Sequence, residues 1–272
     1  MKTILVPTDL SPLANAALPV AVRLAQRWGA EVRALHFLPF TVIEPELSPA
    51  PVVMTRYLEE QTAEATEALE RLCAQHRHEG VRITPVLSRH SAGLFGAIVD
   101  EHADFIVLTS HGAEGWAEWL VGSNAEEIVN DVDCPVLVLK EPVGEFSPKK
   151  ILVAIDADER LYTQFVDLFP EAEKEFLFVA TPNDPRVPEG IEQWVDAWAS
   201  ARQLTDYRLT VLHHLSAEEG ILQFAEQNAF DLIVLFTTQR KGFWHFLNGS
   251  VAEDVVNHAR TPVLVVPLRG EK

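Results

Sequence analysis

The chain contains the same pattern twice. Asp104-Phe105-Ile106-Val107-Leu108 returns as Asp231-Leu232-Ile233-Val234-Leu235, and Gly122-Ser123 returns as Gly249-Ser250. Cys134-Pro135-Val136-Leu137-Val138 returns as Thr261-Pro262-Val263-Leu264-Val265, and all three pairs share an offset of 127. Separate segments with one common offset mark a tandem repeat, which constrains the fold more than any composition does. The opening KTILVPTD of Lys2 to Asp9 matches KKILVAID of Lys149 to Asp156 at an offset of 147, so the second copy is 20 residues shorter inside. The proline-rich stretch Phe40 to Thr55, without clear periodicity, is the expected location of the extra residues. Glu141 to Pro148 has linker composition, which divides the 272 residues into domains at 1–141 and 149–270.

Within the first copy, strand and helix signals alternate. A strand at 3–7 leads to Ser11-Pro12, a helix cap followed by proline at the first helical position. A helix from Leu13 to Trp28 stops at Gly29. Strand 31–37, helix 56–78 ended by Gly80, strand 81–87, helix 92–102, strand 104–109, helix 123–131 and strand 135–139 follow. The later strands are nearly continuous Val, Ile and Leu, the pattern of strands covered on both faces. Strand–helix alternation of this kind predicts an α/β protein: two doubly wound, open, parallel five-stranded sheets with helices on both faces.

Composition excludes some functions. Hydrophobic residues make up 47% of the chain, enough for a real core, and the formal net charge of −18 repels phosphate-rich polymers, so no nucleic-acid partner is expected. No signal peptide or membrane span is read from the sequence. Cys73 and Cys134 form no metal or redox motif and read as small buried hydrophobes of a reducing compartment, the cytoplasm. Ten histidines include His76 with His78 and the pair His213-His214, but no ligand spacing accompanies them and no metal site is expected. Trp194 and Trp198 sit at helical spacing and read as an apolar stripe, whereas Trp116 and Trp119 precede Gly122 and read as packing residues or a pocket cap.

In a doubly wound sheet, ligands bind beyond the carboxyl ends of strands where strand order reverses. Pro7-Thr8-Asp9 and Thr109-Ser110-His111-Gly112 end two strands of the first copy, and the second of these leads to Gly122-Ser123 at a helix start. Glycines allow close backbone approach to an anion, and a helix start offers unpaired N–H groups. A plainer reading stays open at each point: Asp9 and Ser123 also suit helix starts that bind nothing.

The segments ILVPTD-S, Leu35-His36-Phe37, DFIVLTSHG, LVGSNAEEIV and CPVLVLK resemble the universal stress protein family across nearly the whole chain. The resemblance implies an adenine nucleotide alpha hydrolase-like fold and a stress-response protein that binds ATP or AMP, with or without Mg, in the first domain only. On the family's pattern Asp9 would hold the nucleoside, and Pro7, Thr8 and Phe37 would line the base pocket. Thr109, Gly112, Gly122, Ser123 and Asn124 would cradle phosphates, with His111 beside them. The family's loop spaces glycine, two residues, glycine, nine residues and Gly-Ser; Thr109 stands where its first glycine would be. The second copy has Phe236 and Gln239 at both early glycines, so its site is degenerate.

Thr109 to Ser123 contains no lysine or arginine, and no P-loop pattern occurs, so little or no catalysis is expected; slow ATP hydrolysis stays open. Protein clients and an interaction scaffold with a vestigial pocket are the alternative. Family members built from one copy pair through their final strands. Strand 135–139 is therefore expected beside 262–266 in an intrachain pseudo-dimer, with a homodimer of that unit left open.

Overall fold

The computed structural model describes residues 1–39, 51–78, 80–109, 132, 134–144, 146–156, 168–182, 188–201, 204–205, 207–238 and 251–268. Ten strands are named here in chain order: β1 Thr3–Thr8, β2 Glu31–Phe37, β3 Ile83–Ser88, β4 Phe105–Thr109, β5 Val136–Leu139, β6 Lys150–Ala154, β7 Glu173–Ala180, β8 Tyr207–His213, β9 Leu232–Thr238 and β10 Val263–Leu268. The helices are α1 Pro12–Asn15, α2 Ala17–Trp28, α3 Pro51–Gln75, α4 Gly93–Asp100, α5 Pro188–Ala201, α6 Ala217–Gln227 and α7 Val251–His258.

The strands form one sheet in the order β3-β2-β1-β4-β5-β10-β9-β6-β7-β8. Each copy supplies five parallel strands, and the two fives meet where β5 runs antiparallel to β10, with Leu137 opposite Leu264. Pairing of the final strands, read from the repeat, is therefore met within the chain, and it covers two apolar strands that would otherwise be exposed edges. The halves share one anchoring contact at the start of their first strands. Asp104 Oδ2 accepts the N–H groups of Lys2 and Thr3, and Asp231 Oδ2 accepts those of Lys149 and Lys150.

Alternate residues along the strands enter two apolar layers that both cross the seam. Ile4, Val6, Val107, Leu137, Val153 and Leu264 join α2, α3 and α5 on one face. Leu5, Ile106, Val138, Leu152 and Val265 join α4, α6 and α7 on the other. Burial on both faces is why these strands read as unbroken Val, Ile and Leu.

Several local expectations change. The helix expected over 13–28 is two pieces, because Pro19 has no N–H to give the Asn15 carbonyl and its ring crowds that carbonyl. The chain turns at Ala16, whose N–H bonds to the Leu13 carbonyl at 2.9 Å. The stretch expected to be structureless to residue 55 is already helical from Pro51, and α3 ends at Gln75, three residues before the expected stop. Gly29 ends α2 with φ +64°, as its position suggests.

The register puts most of the loss between the second and third strands, where the 40–55 stretch lies, and adds smaller changes on either side. The offset is 147 at β1 and β6, 142 at Glu31 and Glu173, 124 at Ile83 and Tyr207, and 127 at Phe105 and Leu232. The second copy thus drops five residues before its second strand and 18 before its third, then regains three. The segment between the copies is no bare spacer either. Phe146 is 8% exposed and meets Phe169 edge-on at 6.0 Å, and Phe169 lies 6.3 Å from Trp28 of the first copy. Lys140, just after β5 and 8% exposed, donates its ammonium to the Val256 carbonyl in α7.

Candidate functional site

Chain order moves outward from β1 to β2 and β3, then crosses back to β4 on the other side of β1. The carboxyl ends of β1 and β4 therefore flank the reversal point where doubly wound sheets hold ligands. Pro7, Thr8 and Asp9 lie at the end of β1, Phe37 at the end of β2, and Thr109 at the end of β4. His111, Gly112, Gly122, Ser123 and Asn124 lie outside the described residues.

Among the described residues of the site, the β1–α1 turn is the most heavily bonded. Thr8 is 2% exposed; its hydroxyl donates to Asn15 Oδ1 at 2.7 Å and accepts the Leu10 N–H at 2.9 Å. Asn15 Nδ2 donates to the Leu10 carbonyl at 3.0 Å. Leu10 itself has φ +68°, the left-handed region that a leucine occupies only when its surroundings hold it there. From this turn Asp9 projects as an exposed carboxylate, with Oδ1 accepting the Ser11 N–H at 2.8 Å. Ser11 caps α1 by accepting the Ala14 N–H at 3.2 Å.

β2 braces the turn from the side. The His36 Nδ1–H donates to the Thr8 carbonyl at 2.8 Å; a carbonyl can only accept, so the ring carries its proton on Nδ1. Phe37, one residue on, is half-buried against the α4-side layer. Across the reversal point the Thr109 hydroxyl donates to the Leu13 carbonyl at 2.9 Å. Its only hydrogen is therefore engaged within the protein, and any anion contact from this residue would come from its backbone.

The second copy keeps the frame and not the polar network. By register Ile155 replaces Thr8 and Phe178 replaces His36, both buried and both without a hydrogen-bonding side chain, while Asp156 stands at the Asp9 position. Asn15 carried no signal in the sequence: a lone polar residue in an alanine-rich helix looks indifferent. Its partner Thr8 lies across a turn rather than on the same helical face.

Elsewhere among the described residues, no three His, Cys, Asp or Glu side chains converge as a metal site, and no helix is long and apolar enough to cross a membrane. His213 closes β8 and His214 lies beyond it. Trp198 packs edge-on against Phe176 at 5.4 Å, and Trp194 lies against the same layer, as their spacing predicts. Trp116 and Trp119 lie outside the described residues.

Comparison with known proteins agrees with this frame. The profile of the universal stress protein family matches twice, over residues 1–140 and 148–267. The universal stress protein Slr1230 of Synechocystis is 24% identical over 292 residues, covering 97% of this chain and 99% of the relative. The universal stress protein MJ0531 of Methanocaldococcus jannaschii is 31% identical over 149 residues, covering 53% of this chain and 85% of that protein. The crystal structure of a universal stress protein from Archaeoglobus fulgidus superposes with a TM-score of 0.73 at 19% identity, over 99% of this chain and 97% of that one. The repeat, the doubly wound halves and the twofold profile match together place this chain in the universal stress protein family, in a tandem two-domain form.

Proposed function

We propose that the first domain, residues 1–141, binds an adenine nucleotide, ATP or AMP, as a sensor or regulatory module of the stress response. The second domain, residues 149–270, carries a degenerate counterpart of that site. The observation that carries the proposal is the contrast at one position: Asp9 is presented from a bonded turn at the reversal point, whereas Asp156 follows an apolar Ile155. Family membership supports it, since the family includes nucleotide-binding members.

The residues fit the ligand in part. An exposed carboxylate suits the hydroxyls of a ribose, and half-buried Phe37 suits a base. Phosphates would lie on backbone N–H groups of the loop that follows Thr109, with Gly112, Gly122, Ser123 and Asn124, and with His111 at their side. Mg would enter with those phosphates. That loop has no lysine or arginine to stabilise a departing phosphate, so the proposal assigns binding without efficient turnover.

Thermal unfolding with ATP, ADP and AMP tests it. A ligand at a hundredfold excess over its dissociation constant adds about 2.7 kcal/mol of stability, a readily measured shift. Wild type and the Asp156→Ala protein should respond and Asp9→Ala should not. A wild type that responds to none of the three leaves the interaction-scaffold reading in its place. Phosphate release measured on the same samples reads any slow hydrolysis.

A further inference from the structure

We infer that Asn15, acting with Thr8, is a positioning residue that lets Asp9 discriminate a ribose from a sugar lacking its hydroxyls; this rests on the nucleotide reading above. Asp9 lies between Thr8 and Leu10, and its direction is set by the backbone of both. Leu10 is held at φ +68° by two bonds that lead to one side chain pair: its N–H goes to the Thr8 hydroxyl and its carbonyl takes Asn15 Nδ2. The Thr8–Asn15 bond of 2.7 Å closes the ring. A leucine is disfavoured in this conformation, so without the ring the turn would relax toward ordinary backbone angles and swing the carboxylate away.

The ring is more than the fold requires. At the same sheet position the second copy has Ile155, which can supply neither the donor nor the acceptor that Thr8 supplies, yet β6 still pairs with β7 and β9. The strand thus pairs in the sheet without the Thr8 hydroxyl. In the first copy the ring instead fixes the turn from which Asp9 projects. A carboxylate has several lone-pair sites, so Asp9 can hold the Ser11 N–H and still accept from a vicinal diol that is correctly placed.

Asn15 touches no ligand in this account, so its loss should change selectivity more than overall binding. The test is calorimetric titration of the full chain with ATP and with 2′,3′-dideoxy-ATP. The wild type should prefer ATP by roughly tenfold or more, the value of a hydrogen bond to a charged group. Asn15→Ala should bring the ratio close to one, with affinity for the dideoxy compound little changed. Adding Leu10→Gly, which occupies positive φ without strain, should restore the preference in the Asn15→Ala background. Asn15→Ser serves as the milder variant if Asn15→Ala does not fold. A wild type that binds both compounds equally, a variant that keeps the wild-type ratio, a parallel loss for both compounds, or a double variant without recovery would each overturn the inference. A wild type that binds neither compound removes the nucleotide reading itself, and the inference with it.

Discussion

Thr109 and Leu13 are joined across the reversal point of the sheet, hydroxyl to carbonyl, at 2.9 Å. The last residue of β4 is thereby tied to the first turn after β1, the two elements between which a ligand would enter. The Leu13 carbonyl also accepts the Ala16 N–H, so it is not left bare when the threonine is removed. Thr109→Val should therefore cost only about 0.5–1 kcal/mol in urea unfolding. Thr109→Gly, which restores the family's spacing, should cost more in stability and bind ATP more tightly. Weaker binding in the glycine variant would show that the threonine serves the site.

Lys140 joins the halves through the Val256 carbonyl, and this contact should depend on pH. Burial pushes its ammonium down to about 8 from an ordinary value of 10.5. Below about pH 8 both folded and unfolded chains hold the proton, and the folded state bears the full cost of a buried charge. Between about 8 and 10.5 the folded chain has released a proton that the unfolded chain keeps, so stability rises with pH. The difference in unfolding free energy between wild type and Lys140→Met should move in favour of the wild type by about 1–3 kcal/mol over that window. A flat difference would show that the ammonium is hydrated.

The seam should behave as a core. Leu137 and Leu264 face each other in register and are both fully buried. Each leucine-to-alanine change should cost about 2–5 kcal/mol. Because they are direct cross-strand partners, the double variant should deviate from additivity by about 0.5 kcal/mol or more. Strict additivity in denaturant titrations would mean that the strands do not share their packing.

Gly96 holds a seat for His90. A methyl group there would stand 2.1 Å from His90 Nδ1, which accepts the Ala92 N–H at 3.1 Å while Nε2 pairs with Asp100 at 3.0 Å. Exchanging glycine for alanine inside an exposed helix gains about 1 kcal/mol of propensity, but here the ring must leave. Gly96→Ala should destabilise by about 1–3 kcal/mol in thermal melts. Gly220 lies against Val179 and His214 in the second copy, where an added methyl would stand 2.9 Å from Val179 Cγ1 and 3.2 Å from His214 Cβ, with no contact as short as that at Gly96. Gly220→Ala should therefore cost less than Gly96→Ala.

The repeat and its strands were legible because matching segments such as Asp104–Leu108 and Asp231–Leu235 are strands buried on both faces, where hydrophobic pattern and fold coincide. The helix break was legible in principle: Pro19 was present, but the alanine-rich run around it masked its effect. A single net offset could not distribute the missing residues, since the gain of three before Phe105 offsets part of the losses before it. The burial of Phe146 is not legible because proline and glycine around it read as solvated linker, while its aromatic partner Phe169, itself against Trp28, is remote in sequence. At the site, Asp9 and Thr109 could be named from the motif. Asn15 could not, because its role depends on a positive φ at Leu10 that no side-chain pattern announces.

Antiparallel pairing of β5 with β10 reverses the strand direction between the halves. The strand ends that would carry a ligand in one half therefore open on the opposite rim from those of the other. Duplication on this plan leaves each copy free to change its chemistry alone, so long as the shared strands at the centre stay paired. A half that has lost its polar turn can then persist as structural support for a half that has kept it.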